Sequence, residues 1–258
     1  MTGSACLPGR REKVMGEFNI KIAGCPVSVT GLFASTRDYC GRYLTEDAPR
    51  CHITVTREDL DFQQEVLRQE ALEEGIKIRK FQDPFLERAV IQRKLADFLF
   101  GQDVLMTHGS TVAVDGKAYL FTAKCGTGKS THTRLWRQVF GNRAVMVNDD
   151  KPFLKLTQEG VLACGSPWSG KHGLDTNIIL PLQGICILER GKENRIARLP
   201  AEEALPMLLH QSHCPRLPQS RNRLEALLNR LTQTVPLWRM ECNMDPQAAE
   251  VSHKAMSE

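Results

Sequence analysis

The chain has no long hydrophobic run. Its longest apolar stretches, such as AVMV and NIILPL, fall far short of the ~20 residues that a membrane-spanning helix needs, so no membrane partner is expected. No CxxC pair occurs either: nine cysteines stand singly at 6, 25, 40, 51, 125, 164, 186, 214 and 242. An odd number of scattered cysteines in a chain of 258 residues, large enough to form a core without disulfide staples, points to a reduced, cytoplasmic setting. The amino-terminal MTGSACLPGRREK carries charge with no apolar segment after it, so no secretory signal is expected. Internal repeats and low-complexity tracts are missing. A large charge of one sign is missing too: the net charge of +4 gives no reason to expect nucleic acid as a partner. What remains, 41% hydrophobic and 25% charged residues, is the balance of a globular protein.

EFNIKIAG (17 to 24) and PVSVTGLF (26 to 33) alternate apolar and polar residues on either side of a short break, which predicts two strands of a hairpin or meander. CHITVTRED (51 to 59) reads as a third strand, and the pattern from 59 to 75 as a helix ended near Gly75. These residues show no chemistry of their own, and 1–82 is expected to form a small N-terminal α+β domain, rich in strands. From 83 onward the pattern is plainer. Leu86, Val90, Ile91, Leu95, Phe98 and Leu99 share one helical face, with Gly101 as the stop. Asp115-Gly116, between VAV and KAYLF, is the dipeptide of a tight hairpin whose two central residues need positive φ. The second strand of that hairpin runs into AKCGTGKSTH (123 to 132). STHTRLWRQVF then predicts a helix, and AVMV a buried strand ending in NDD. The tail from about Pro200 reads as two helices, a strand around PLWRMEC and a last helix from Asp245.

AKCGTGKS holds most of a phosphate-binding loop. Such a loop works because successive backbone N–H groups and a helix amino end face the anion, while a lysine reaches the outer phosphates and the next hydroxyl holds magnesium. Gly126, Thr127 and Gly128 supply the amides, Lys129 the charge and Ser130 the metal contact, with Thr131 beside it. Ala123 stands where the pattern has its first glycine. Alanine is tolerated there if its φ stays negative, and the phosphate-binding end of the loop is intact. By chance, GxGK[ST] would occur in about 1% of chains of this length; a strand before it, a helix after it and Asp149-Asp150 about twenty residues on make the pattern more specific. One acid of the pair suffices for magnesium, which leaves the other to take a proton from an attacking hydroxyl. His108, on a strand expected beside the loop, has two readings: it positions or tunes the base aspartate, or it is a structural hydrogen-bonding histidine.

His108-Gly109, AKCGTGKS and NDD together resemble the HPr kinase/phosphorylase catalytic domain, and more closely its smaller HPr-kinase-like or phosphoenolpyruvate-carboxykinase-like relatives. The resemblance runs from about Leu86 to Glu258 and includes PWSGK-like and LERGxxN-like stretches. It implies an α/β fold with a P-loop-containing core in 83–258, and magnesium-ATP as phosphoryl donor. It also implies Asp149 as catalytic base with His108 paired to it, Asp150 and Ser130 at the metal, and Lys129 on the phosphates. The signature around a catalytic arginine is not matched. In its place stands CGSPWSGKHG (164 to 173). There Lys171 and the glycines close over phosphates or an acidic acceptor and Trp168 walls a pocket, or Pro167-Trp168 is a packed turn.

HQSHC offers His210, His213 and Cys214 at a spacing that a metal can use, but without a fourth ligand it is not taken as a site. Arg190 either stabilises charge on the transferred group or pairs with Glu189 or Glu193. The expected function is a kinase that moves the γ-phosphoryl of ATP to a serine- or threonine-type hydroxyl on a protein, peptide or small metabolite. The alternatives are a carboxykinase, for which the chain is about half the usual size, and a nucleotide-dependent switch or ATPase. Homo-oligomerisation is left open.

Overall fold

The computed structural model describes residues 16–73, 75 and 77–258; the amino-terminal MTGSACLPGRREK, with Cys6, lies outside them. Strands β1 (Glu17–Ile22) and β2 (Cys25–Thr30) pair antiparallel. They turn at Ala23-Gly24 with φ of 52° and 77°, so the break in the alternation is a tight turn of the kind that needs positive φ at both positions. A short β3 (His52–Thr54) adds to β2 in parallel. The expected strand over 51 to 59 is thus only three residues long, because helix α2 (Arg57–Glu73) begins at Arg57. Between β2 and β3 lie α1 (Ala34–Tyr39) and a 3-10 turn, Gly41–Tyr43.

Helix α3 (Asp83–Phe100) starts with Pro84 in its first turn, where a missing N–H costs nothing. Its buried Leu86, Val90, Ile91, Leu95 and Leu99 pack with Ile20, Val27, Val29 and Ile53 of the small sheet, and the same cluster takes in Phe153, Cys164 and Trp168 from the other side. The expected boundary at 82/83 therefore falls just before a helix whose apolar face is shared by both parts of the chain. α3 also carries Glu87, which is fully buried. Its carboxylate accepts the backbone N–H of Leu32 and Phe33 and the Thr36 hydroxyl, fixing the entry to α1.

The second sheet is built from β4 (Val104–Met106), β5 (Ser110–Val114), β6 (Lys117–Thr122), β7 (Ala144–Asn148), β8 (Phe153–Leu156), β9 (Val161–Cys164) and β10 (Ile179–Arg190), in the order β4-β8-β9-β10-β6-β5-β7. β11 (Arg195–Arg198) and β12 (Leu237–Cys242) join it, with β12 parallel to β10. Twelve-residue β10 makes this possible by changing neighbours: Ile179, Leu180 and Pro181 pair with β9, and after an irregularity between Leu182 and Gly184 the strand pairs with β6 and β12. The hairpin β5–β6 turns at Asp115-Gly116 with φ of 51° and 78°.

β6 is buried on both faces, and its parity divides two cores. Ala118 and Leu120 join the cluster under α5 (Ala201–Gln211) and α6 (Ser220–Thr234); Tyr119 and Phe121 join the one under α4 (Lys129–Phe140) and α7 (Gln247–Ser257). This explains why VAV and KAYLF read as apolar runs rather than as clean alternation. All cysteines among the described residues are free. Among those residues no helix is long and apolar enough to cross a membrane.

Candidate functional site

β6 delivers the chain into the glycine loop, and α4 carries it away. Gly126 has φ 74° and Gly128 φ 124°, conformations that L side chains rarely adopt. Ala123 is not among the positive-φ residues and is fully buried, so a β-carbon fits where the expected pattern has glycine. Gly128 is the N-cap of α4, and no side chain caps the helix. Its first-turn amides are thereby left for another acceptor, at the positive end of the helix dipole. Lys129 folds back, its Nζ donating to the Ala123 carbonyl at 3.1 Å. Burial lowers the pKa of its ammonium; Lys151 adds to this, while Cys125, Asp150 and Asp149 oppose it. Ser130 is exposed and Thr131 half-buried on the first turn.

β7 ends at Asn148, which shapes the acid pair. Its Nδ2 donates to the Ser166 carbonyl at 2.9 Å, while its Oδ1 accepts the backbone N–H of Asp150 at 2.8 Å and of Lys151 at 2.6 Å. The chain therefore turns sharply, and the two acids meet different neighbours. Asp149, 8% exposed, accepts the Ser110 hydroxyl at 2.6 Å, and that hydroxyl lies 2.7 Å from Thr133 Oγ1 on α4. Asp150 sits with Oδ1 3.4 Å from His108 Nε2. The resemblance implied that His108 would serve Asp149; the structure pairs it with Asp150. Burial raises the Asp150 pKa, with Asp149 adding to it, against Lys151 and Lys129. Burial also pushes His108 down to about 3, with Lys151, Lys129 and His210 adding to it. At neutral pH that histidine is uncharged.

His108, Lys129, Asp149 and Asp150 are thus brought together with the open end of α4. Lys171 is less tightly placed. It follows Gly170, which abuts Asp150, but it is exposed and makes no ion pair or side-chain hydrogen bond among the described residues. Trp168 is buried, its Nε1 donating to the Arg88 carbonyl at 2.8 Å, and it packs into the core shared with the small sheet. The packed-turn alternative holds for it. Arg190 pairs with neither Glu189 nor Glu193; its Nη2 donates to the Gly126 carbonyl at 2.6 Å and braces the loop. In HQSHC the helix ends at Gln211, so His213 and Cys214 leave its face; His213 Nε2 is 2.7 Å from Asp97 Oδ1.

The sequence reading missed Ser110, Thr133 and Asn148. Their signal was present only as polar residues in otherwise apolar strands and at a helix position facing the sheet. Lys151 was in view as the residue after the acid pair and was not weighed.

For a magnesium ion the donor set fits: Asp149 engages Ser110 through Oδ1 alone, and Ser130 is an exposed hydroxyl. Among the described residues no three His, Cys, Asp or Glu side chains gather as a metal cage. Magnesium held by one or two protein oxygens, phosphates and water needs none.

No family model and no curated protein matches the chain. Among solved structures, the Hpr(Ser) kinase/phosphatase from Coxiella burnetii is similar over 58% of this chain and 95% of that one, at 11% identity and a TM-score of 0.36. That is a distant structural similarity, from which nothing about activity follows.

Proposed function

We propose that the protein is an ATP-dependent kinase that transfers the γ-phosphoryl group to an alcohol-type hydroxyl. One observation carries this: the Ser110 hydroxyl joins Asp149 to Thr133, one turn from the uncapped start of α4, so acid and anion cradle occupy one place. The loop amides and Lys129 bind the phosphates and take up charge on the moving group. Asp149 and Ser130 are the oxygen ligands for magnesium, which when bound neutralises phosphate charge and orients the γ-phosphoryl.

Asp150 is the base, reversing the assignment that the resemblance implied. Asp149 is tethered to α4 through Ser110 and Thr133, whereas Asp150 is half-exposed beside His108 with a burial-raised affinity for protons. The acceptor oxygen bonds to Pγ as the bond from Pγ to the β–γ bridging oxygen breaks. ADP leaves, and the hydroxyl proton passes to Asp150. Neutral His108 orients that carboxyl.

The test is incubation of purified protein with magnesium and γ-labelled ATP in the presence of fractionated cell extract. An acid-stable phosphoester is expected. Inorganic phosphate released without any acceptor product would replace this reading by an ATPase switch, and a product formed only with oxaloacetate by a carboxykinase.

A further inference from the structure

The glycine loop has strand ends on both sides, and the acid pair takes only one of them. In the run β12-β10-β6-β5-β7, β6 delivers the loop from the middle. Ser110 opens β5 and Asp149-Asp150 follow β7 on one side. On the other side β10 outlasts its pairing with β6, which ends at Ile187 and Thr122, and runs on beside β12 to the pair Arg190 and Cys242. A triphosphate in the cradle with its γ-phosphoryl at the acids therefore has its nucleoside toward β10 and β12, outside the carboxyl ends of parallel strands.

That end of the sheet is built around Arg190. It follows Cys186 and Leu188 on the strand face that α4 and α7 cover, so its side chain emerges where the loop passes, and Nη2 donates to the Gly126 carbonyl at 2.6 Å. The bond pins the guanidinium beside the phosphate cradle. Nε and Nη1 have no partner among the described residues, and the side chain is exposed. Cys242, its neighbour in register, leads to Met244, which is 76% exposed. The turn between β10 and β11 is stitched to this end of β12. Asn243 N–H donates to Asn194 Oδ1 at 3.0 Å and Asn243 Nδ2 to the Lys192 carbonyl at 3.0 Å, while Asn243 Oδ1 accepts the Asp245 N–H at 2.9 Å. What stays free is a flat cation, pinned at one corner, and an apolar side chain. The amides that could read the edge of a base are largely spent.

We infer that this is the nucleoside subsite: the base of the phosphoryl donor stacks by its face on the Arg190 guanidinium, with Met244 as the apolar wall, and adenine and guanine nucleotides are accepted alike. A planar guanidinium attracts the π-face that every base has, and such stacking ignores the pattern of donors and acceptors on the base edge. The inference rests on the kinase reading for the direction in which the triphosphate lies. It gives Arg190 two tasks in one place, a brace for the loop and a platform for the base.

The test is calorimetric titration of the full chain, in magnesium, with the β,γ-imido analogues of ATP and GTP and with inorganic tripolyphosphate. The two nucleotides are expected to bind within about fivefold of each other. Arg190→Lys, which keeps the charge and a donor for Gly126 but has no plane, should weaken both nucleotides by about tenfold and leave tripolyphosphate unchanged. Met244→Ala should weaken both by about threefold, again sparing tripolyphosphate. Both side chains are exposed, so both variants should fold. Tripolyphosphate weakened as much as the nucleotides would leave Arg190 a brace only and overturn the inference. Nucleotide affinities that ignore either substitution overturn it too, as does a GTP analogue bound about a hundredfold more weakly than its ATP counterpart. The expected binding pattern without any phosphoester from ATP in cell extract keeps the subsite and removes the kinase reading. Phosphoester formation with wild-type nucleotide affinity in both variants does the reverse.

Discussion

Two regions of this molecule bury carboxylates, and they do so for opposite ends. Glu87, on α3, is fully buried and engaged by three donors from the start of α1. Its charge is consumed in holding one segment against another. The turn that carries Asp149 and Asp150 is fixed by Asn148, which accepts the backbone N–H of Asp150 and Lys151, yet among the described residues Asp149 Oδ2 has no donor, and Asp150 has only His108 at 3.4 Å. A buried carboxylate with its donors in place is architecture. One that is short of donors, between two lysines and beside an uncapped helix end, is available for chemistry.

The largest effect should come from breaking the acid pair. Asp150→Asn is expected to slow phosphoryl transfer by about 1000-fold, the scale of a lost general base, with nucleotide affinity retained in equilibrium dialysis. Because burial already disfavours the ionised form of Asp150, the same variant should unfold at a higher denaturant concentration than wild type at pH 7. Lys129→Ala should weaken nucleotide binding and transfer together. If Asp150→Asn turns over normally while Asp149→Asn does not, the two roles return to the order that the resemblance implied.

Glu87→Ala should show the opposite pattern. With backbone donors orphaned in the core, about 3 kcal/mol of stability is lost, read from the urea midpoint, while any transfer activity measured well below that midpoint persists.

Two histidines extend the comparison to pH. Burial depresses His132, which lies in the core against Ser252 and Trp136, to about 4, and His108 to about 3, from an ordinary 6.5. Both are neutral in the folded chain. Below 6.5 the unfolded chain takes up protons that the folded chain refuses, so stability present above that pH is lost as pH falls toward the folded values. The loss should reach about 2 kcal/mol per histidine by pH 5. Chemical denaturation at pH 7 and pH 5 measures it, and His132→Asn should remove one share without touching the site. The smallest expected effect is that of Ser110→Ala. It frees Asp149 Oδ1 and should raise the magnesium concentration needed for half-maximal activity by about tenfold, with little change at saturating magnesium.

Local signals were legible where a short stretch dictates its own conformation. Asp115-Gly116 makes the expected turn because both residues accept positive φ. The apolar stripe of α3 is buried as its periodicity requires, and Gly126 and Gly128 take backbone angles that other residues resist. The bend of β10 was not legible, since a strand that changes partners looks locally like any other strand. Trp168 read equally well as a pocket wall, because burial depends on what packs over it, and the packing comes from α3, some eighty residues away in the chain.

By itself, the sequence determined the long helix α3, the β5–β6 hairpin, the glycine loop with α4 and the presence of an acid pair after a buried strand, because these follow from spacing, φ preference and side-chain type within a dozen residues. Only the tertiary structure decided which acid meets His108 and that Ser110 ties the other to α4. Those are meetings of segments far apart in the chain. They are set by how sheets and helices close around shared cores, a geometry that no single stretch encodes.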